Sequence, residues 1–152
     1  MDATPIQDRY PDDYAHCFGC GRHNEHGHRL KTRWDGREAV ARFSPKPEHV
    51  SLPGFVYGGL IASLIDCHAM ATASVVLTPP GGEPTRCVTA SLKVDFLRPT
   101  PLGPELELRA RPKEAGAKKV VVEVRLFAAG EECARGEVVA VRLPESMRGL
   151  RQ

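Results

Sequence analysis

The sequence feature that most constrains the fold is one long apolar stretch, GFVYGGLIASLIDCHAMATA, which covers residues 54–73. Its side chains recur at helical spacing, with large apolar groups on one side and mostly small groups on the other. The pattern predicts one helix from about residue 57 to about residue 77, which the following Pro-Pro-Gly-Gly segment at 79–82 ends. Such a helix is typical of a segment enclosed on most sides, so we expect the rest of the chain to wrap around it.

Segments with the alternation of β-strands lie on both sides of this helix. Before it, residues 30–34 and 39–43 alternate apolar and polar side chains, and an Asp-Gly pair between them is a strong hairpin signal. After it, four segments alternate in the same way between turn signals, at residues 92–96, 106–109, 120–126 and 139–143. These four segments predict an antiparallel meander. The sequence therefore predicts an α+β fold in which a curved antiparallel sheet wraps around one long central helix.

Length and composition indicate a single globular domain. The chain has 152 residues, and its 41% hydrophobic and 26% charged residues are typical of a protein with its own core. The first residues are polar and contain two prolines, which favours a loose segment. We expect a flexible N-terminal arm at residues 1–16, the folded domain at 17–145 and a C-terminal tail at 146–152.

Charge, hydropathy and cysteine content argue against several classes of function. The net charge of +2, without a long run of Lys or Arg, does not favour a nucleic-acid partner. No apolar run approaches the roughly 20 residues of a membrane span, and the N-terminus lacks the apolar core of a signal peptide. Five cysteines at irregular spacing do not form a disulfide framework, so we expect a cytoplasmic protein without membrane partners.

One carboxylate, Asp66, lies inside the predicted helix, nine residues after Tyr57 and the pair Gly58-Gly59. An unpaired buried carboxylate is costly, so Asp66 is expected to have a partner or a chemical role; the alternative is that it faces solvent or bonds the backbone. Gly58 and Gly59 either allow a ligand to approach the free N–H groups of the helix start or serve only as a tight helix entry. Tyr57 either packs or contacts a substrate.

Three motifs in this order resemble those of the hotdog-fold acyl-CoA thioesterases, in particular the PaaI-like branch. Tyr57-Gly-Gly followed by Asp66 is similar to that family's His-Gly-Gly motif with an acid nine positions after the histidine. The segment VTASLKVDFLRPTPLG at 88–103 and the CFGCG opening at 17–21 also resemble segments of this branch. Tyr57 is a departure from the family's histidine, because a phenol is a poor base near neutral pH although it can donate a hydrogen bond.

The resemblance implies hydrolysis of an acyl-CoA thioester to the free acid and CoA, with no metal or redox cofactor and with coenzyme A as part of the substrate. In this reading Asp66 acts as nucleophile or general base, and the N–H groups of Gly58 and Gly59 hold the oxyanion. Thr89 lies at the family position of a threonine that orients the carboxylate or a water. Asp66 lies about 10 Å along the helix from the glycines, so one carbonyl cannot easily reach both on one chain. The resemblance resolves this with sites shared between two subunits, which predicts a homodimer or a dimer of such dimers.

Further positions are candidates for contacts to coenzyme A. Its phosphates favour basic partners, and relatives often contact the nucleotide end from turns and strand starts. The candidates are Arg98, Lys118 and Lys119, together with His49 at the mouth of a substrate tunnel. Each of these side chains has the alternative of being an ordinary solvated group.

The N-terminal motif Cys17-x-x-Cys20, with His23, His26 and His28 after it, resembles half of a zinc site. Structural zinc sites usually draw on two separated pairs of ligands, whereas all these candidates crowd into twelve residues. We therefore predict no metal here and a structural plug at the dimer surface instead.

His68 lies about 160° around the helix from Asp66, so the two side chains cannot touch on one chain. We expect a core or interface histidine at this position. Two alternatives to hydrolysis stay open: a non-catalytic acyl-CoA binding protein, suggested by the missing family histidine, and a hotdog enoyl-CoA hydratase or dehydratase that uses His68 across a dimer.

Overall fold

The computed structural model describes residues 4–149, in which one six-stranded antiparallel sheet wraps around one long α-helix. In chain order the elements are β1 Thr32–Trp34, β2 Ala39–Phe43, α1 Gly58–Leu77, β3 Cys87–Phe96, β4 Leu106–Ala115, β5 Lys119–Ala128 and β6 Glu131–Arg142. Short 3-10 helices flank them at Ile6–Arg9, Asp12–Tyr14 and Glu145–Met147. The predicted α+β fold with a sheet around a central helix is confirmed.

Helix α1 has the predicted limits because both of its ends have local causes. Tyr57 precedes the helix in an extended conformation, with φ −59° and ψ 129°, and the prolines after Thr78 cannot continue it. At the end, the Thr78 hydroxyl and the Thr78 N–H both donate to the carbonyl of Ser74, at 2.6 and 3.0 Å. The large apolar side chains of α1, including Leu64 and Ile65, are fully buried against the sheet.

The strand order is β1-β2-β4-β5-β6-β3, which corrects the predicted four-stranded meander. Of the four strands after the helix, only β4, β5 and β6 follow one another as neighbours, because β2 occupies the other side of β4 and β3 pairs with β6 at the far edge of the sheet. The reason is the helix, which crosses the concave face between β2 and β3 and so delivers the chain to the opposite edge. Strand β3 is therefore paired on one side only, and all ten of its residues are half-buried or exposed.

The core lies between α1 and the three central strands. Inward side chains alternate along these strands and are fully buried, as the period of two requires; they include Leu106, Leu108, Val120, Val122, Val124, Leu126 and Val138. Gly136 of β6 permits the close approach of the helix, because a Cβ at this position would lie 2.5 Å from the Cγ2 atom of Ile65. Burial of each large apolar side chain contributes about 1.5–3 kcal/mol, so this layer holds the helix in place.

The expected flexible arm is a packed segment over its described part, residues 4–16. Ile6 and Gln7 are buried, and the Gln7 side chain bonds both the N–H and the hydroxyl of Thr32 in β1, at 2.8 and 3.1 Å. The polar sequence of this segment suggested a loose arm. Its few apolar and amide groups find their partners only in distant parts of the chain, and a local pattern does not show such contacts. The remainder of the predicted arm, residues 1–3, and the last residues of the predicted tail, 150–152, lie outside the described residues.

Helix α1 also corrects the expectation that no stretch approaches the length of a membrane span. Its 20 residues and mean hydropathy of 1.7 would suffice for a span by length and composition. Most of the helix is buried inside the sheet, however, and the core helix of a globular protein meets the same criterion.

Candidate active site

Asp66 stands at mid-helix on the face of α1 that the sheet does not cover completely. Its side chain is half-buried, and the Thr89 hydroxyl donates a hydrogen bond of 2.6 Å to its Oδ1 atom. Within residues 4–149 this is its one hydrogen bond, and no Lys, Arg or His forms an ion pair with it. A β-bulge lies between Thr89 and Ser91 of β3, and such irregularities re-aim side chains.

Burial raises the pKa of Asp66 above its ordinary value, and the hydrogen bond from Thr89 opposes this rise. The charge of Cys17 adds to the rise. A carboxylate with little compensation for its lost hydration is a better base than one in water, because its proton affinity is higher. The predicted pairing of Asp66 with Thr89 is thus present, while the chemical roles of both residues remain predictions.

A pocket of about 430 Å³ opens beside Asp66, between the N-terminal segment, helix α1 and the start of β3. Its size lies within the range of small-molecule sites. Several of its lining residues were missed by sequence reasoning, namely Tyr10, Cys67, Met70, Ser74 and Arg86. The alternation pattern gave no signal for them, because they come from a polar N-terminal segment, from a small-sided helix face and, for Arg86, from the loop before β3.

Ala69 and Ala73, two of the small residues of α1, do not line this pocket. Ala69 and Ala73 are fully buried against the core. Met70 and Ser74 occupy the pocket wall instead, one residue further along the helix in each case. A shift of one residue rotates a helical position by 100°, which turns Met70 and Ser74 away from the core that encloses Ala69 and Ala73.

The helix start presents free backbone donors, as predicted. The N–H groups of Leu60 and Ile61 donate to the Tyr57 carbonyl at 3.1 and 3.3 Å. Those of Gly58 and Gly59 have no backbone acceptor and no side-chain cap in the described part of the chain. Positive dipole charge gathers at such an end, which suits an anionic oxygen.

Tyr57 lies directly over this helix start. A Cβ at Gly59 would be 2.5 Å from ring atoms of Tyr57, so the glycine is what allows the phenol ring to fold back over the helix. The ring is 57% exposed and is therefore not held in the core. At Gly58 a Cβ would meet only the Phe96 ring, at an ordinary 3.5 Å.

His68 is a satisfied core histidine, as expected. It is fully buried, its Nε2 atom donates to the Ala39 carbonyl at 3.1 Å, and its Nδ1 atom therefore accepts from the Thr32 hydroxyl at 2.9 Å. Burial lowers the pKa of His68 to about 4, which keeps the ring neutral. Because both nitrogens are bonded away from the pocket, the arrangement does not support a hydratase that uses His68.

The basic candidates for coenzyme A do not come together on one chain. Arg98 pairs with Glu131 at 2.5 Å, near the end of β5. Lys118 and Lys119 are exposed at the other end of β5, and a ten-residue strand is about 30 Å long. Their contacts to a nucleotide remain predictions.

His49 lies close to the helix entry but is held by its own loop. Its carbonyl accepts the N–H of Tyr57 at 2.9 Å, and its Nδ1 atom accepts the N–H of Lys46 at the same distance. The ring also contacts His28 and Phe43. Its place at a tunnel mouth is neither supported nor opposed by these contacts.

Comparison with known proteins agrees with this geometry. A family model described as "Thioesterase superfamily" matches residues 53–134, more than half of the chain. The chain belongs to the thioesterase superfamily. The match runs from the loop before α1 into β6 and so contains Tyr57, both glycines, Asp66 and Thr89.

Individual relatives of the chain support the assignment. A crystal structure of a thioesterase superfamily protein from Shewanella loihica is 49% identical, with a TM-score of 0.70 over 89% of this chain and all of that one. An acyl-coenzyme A thioesterase of Xenopus laevis, THEM4, is 30% identical over 105 residues. The aligned part is 69% of this chain but only 44% of that relative, so the chain spans less than half of its length.

The PaaI protein of the E. coli phenylacetic acid degradation operon shares the fold. Its TM-score is 0.62 at 18% identity, over 70% of this chain and 73% of that one. The family model thus confirms the predicted resemblance at the level of the thioesterase superfamily, and the likeness to PaaI confirms it at the level of the hotdog fold.

Proposed function

We propose that this protein hydrolyses an acyl-CoA thioester to the free acid and CoA, with Asp66 as the acting carboxylate. The observation that carries the proposal is the state of Asp66: it is half-buried in a pocket of a thioesterase-family fold and has only the Thr89 hydroxyl as a partner within residues 4–149. The acyl-CoA thioesterase named among the relatives supports this class of substrate.

The reaction needs a base or nucleophile more than it needs an acid. A thioester expels a thiolate, whose conjugate thiol has a pKa of about 8.5, so the leaving sulfur requires little protonation. As general base, Asp66 would take a proton from water while the water oxygen forms the bond to the carbonyl carbon. As nucleophile, its own oxygen would form that bond, and water would then cleave the resulting anhydride. In both routes the carbon–sulfur bond breaks from a tetrahedral oxyanion.

The free N–H groups of Gly58 and Gly59 are the proposed donors to this oxyanion. Each donor of this kind is typically worth about 3 kcal/mol of the barrier. Asp66, however, lies about 10 Å further along α1 than Gly59, since each helical residue advances 1.5 Å. One thioester carbonyl cannot contact both groups of a single chain.

A second copy of this chain is the proposed source of the missing group. Strand β3 has an open edge, and unpaired edges of this length are usually covered. Exposed apolar side chains lie along β3 and beside the helix start, namely Phe55, Tyr57, Leu92, Phe96 and Leu97. An isologous dimer over this surface would bring the helix start of one chain towards Asp66 of the other and would leave two equal sites.

The experiment combines two inactive variants. Asp66→Asn removes the carboxylate, and Gly58→Pro removes one N–H at a helix position that tolerates proline and follows an extended residue. Gly58→Ala is the matched control, because it adds a Cβ while keeping the N–H. Release of CoA thiol from a panel of acyl-CoA substrates is measured for each chain alone and for chains mixed during refolding.

If the sites are shared, the mixture recovers about a quarter of the wild-type rate, because each site has an even chance of receiving each intact half. Full activity of Asp66→Asn would refute the carboxylate's role. No recovery in verified mixed dimers would refute the shared site while leaving hydrolysis itself in place.

The non-catalytic alternative keeps one specific observation in its favour. The Tyr57 ring lies over Gly59, where the substrate carbonyl would approach the helix start. A binding protein predicts saturable binding of acyl-CoA without release of thiol, in wild type and in Asp66→Asn alike. The same substrate panel therefore separates the two functions.

A further inference from the structure

Three cysteines that the proposed hydrolysis does not use meet beside the pocket. Cys17 and Cys20 come from the N-terminal loop, and Cys67 comes from α1, fifty positions after Cys17. Their Sγ atoms all lie within 4.8 Å of one another, and those of Cys17 and Cys67 are 3.8 Å apart. All three residues line the pocket that Asp66 also lines.

The distance between the sulfurs of Cys17 and Cys67 matches a tetrahedral thiolate site. Zinc binds cysteine sulfur at about 2.3 Å, and two corners of a tetrahedron with this radius are about 3.8 Å apart. The loop is shaped for this approach: Gly19 passes so close to Cys67 that a Cβ would lie 2.3 Å from its sulfur. Backbone bonds from Gly21 to Cys17 and from Leu30 to Gly19 hold the loop, at 2.7 and 3.1 Å.

Two of the three histidines that follow the loop have other partners, and within residues 4–149 no histidine belongs to the cysteine cluster. His23 bonds Asp12 at 2.9 Å, and the His28 ring packs between Phe18 and Phe43. The site thus has three sulfur ligands from the protein. Thiolates favour zinc over the harder divalent ions, and zinc with three protein ligands takes a water or another small ligand in its fourth position.

We propose that Cys17, Cys20 and Cys67 bind one zinc ion, which ties the N-terminal loop to α1 beside Asp66. This departs from the sequence-based expectation of no metal, which considered only ligands within the N-terminal motif. The ion would cross-link two segments that are distant in sequence. Its binding does not depend on the proposed hydrolysis.

The test is the metal content of the full chain, purified under reducing conditions. Zinc is measured by elemental mass spectrometry, and the metal-free chain is titrated with Co²⁺ to detect thiolate-to-cobalt charge-transfer absorption. The variants are Cys67→Ala and Cys17→Ser, of which the second changes an exposed side chain and so retains a folded protein. Cys87→Ser is the matched control, because Cys87 lines the same pocket but lies outside the cluster.

We expect about one zinc per chain in the wild type and in Cys87→Ser. Both cluster variants should lose more than about 100-fold in affinity, beyond the loss typical of a supporting contact. Absence of stoichiometric metal from the reduced wild type would overturn the proposal, and so would wild-type affinity in Cys17→Ser. A disulfide among these cysteines in metal-free protein, found by thiol alkylation, would overturn it in favour of a redox pair. None of these readouts involves thioester turnover, so they are independent of the proposed function.

Discussion

Two titratable residues only two positions apart on α1 have opposite surroundings. His68 faces the core, where both ring nitrogens have partners and the side chain is fully buried. Asp66 faces the pocket, where it is half-buried and has one partner, Thr89. The difference shows that the two faces of one helix can have opposite surroundings. The sheet satisfies the polar groups on one side and leaves the proposed catalytic carboxylate incompletely satisfied on the other.

The largest expected effect is on turnover, in Asp66→Asn. Loss of a general base or nucleophile should reduce kcat/KM by about 10³-fold, in the middle of the range for such groups. Stability should change by no more than about 0.5 kcal/mol, because the residue belongs to no core network. Thiol release and denaturant unfolding measure the two quantities. If the free energy of unfolding fell by as much as the activation free energy rose, the face of α1 that carries Asp66 would be structural as well.

His68→Leu should give the opposite result. The substitution roughly conserves volume but leaves the Thr32 hydroxyl and the Ala39 carbonyl without their buried partner, at a cost of about 3 kcal/mol in the free energy of unfolding. Turnover per folded molecule should stay near that of the wild type. Urea unfolding gives the first quantity, and active-site-normalised rates give the second. Loss of turnover in a fully folded His68→Leu variant would show that His68 takes part in the reaction.

The same histidine predicts a pH dependence of stability. In the unfolded chain the pKa of His68 is near 6.5, and in the folded protein it is about 4, so between these values only the unfolded state takes up the proton. The contribution of His68 to the free energy of unfolding is therefore complete above pH 6.5. It falls by on the order of 3 kcal/mol as the pH drops to 4. The measurement is urea unfolding at a series of pH values. His68→Leu should lack this part of the slope, and equal slopes in both proteins would contradict the assignment.

Thr89→Val removes the hydrogen-bond partner of Asp66 and should have a smaller effect on turnover than Asp66→Asn. Because the hydrogen bond from Thr89 lowers the pKa of Asp66, its removal should raise that pKa and move the acid limb of the rate profile to higher pH. The loss of a hydrogen bond to a charged group should also reduce the rate by about tenfold or more. Thr89→Ser, which keeps the hydroxyl, is the control. An unmoved acid limb in Thr89→Val would show that the limb does not report Asp66.

The smallest expected effect is that of Tyr57→Phe. The ring is largely exposed and covers Gly59 by contact, so removal of the hydroxyl should change stability by less than about 0.5 kcal/mol. An unchanged KM would assign the ring a packing role. An increase in KM with constant kcat would instead show a hydrogen bond from the phenol to the substrate.

Much of the fold was predictable because it rests on local periodicity. The limits of α1, the hairpin of β1 and β2 and the inward side chains of the later strands follow from helical or alternating patterns. Strand neighbours were less predictable. The placement of β3 beside β6 depends on where the helix delivers the chain, and a meander fits the same alternation equally well.

The sequence by itself determined the helix with Asp66 inside it, the glycines at its start and the alternation that requires a surrounding sheet, because these are properties of neighbouring residues. Tertiary structure alone decided that Gln7 bonds Thr32, that Thr32 bonds His68, and that Cys67 meets Cys17 and Cys20. Each of these contacts joins residues more than twenty positions apart. Such contacts depend on the closing of the sheet around the helix, which no local pattern encodes.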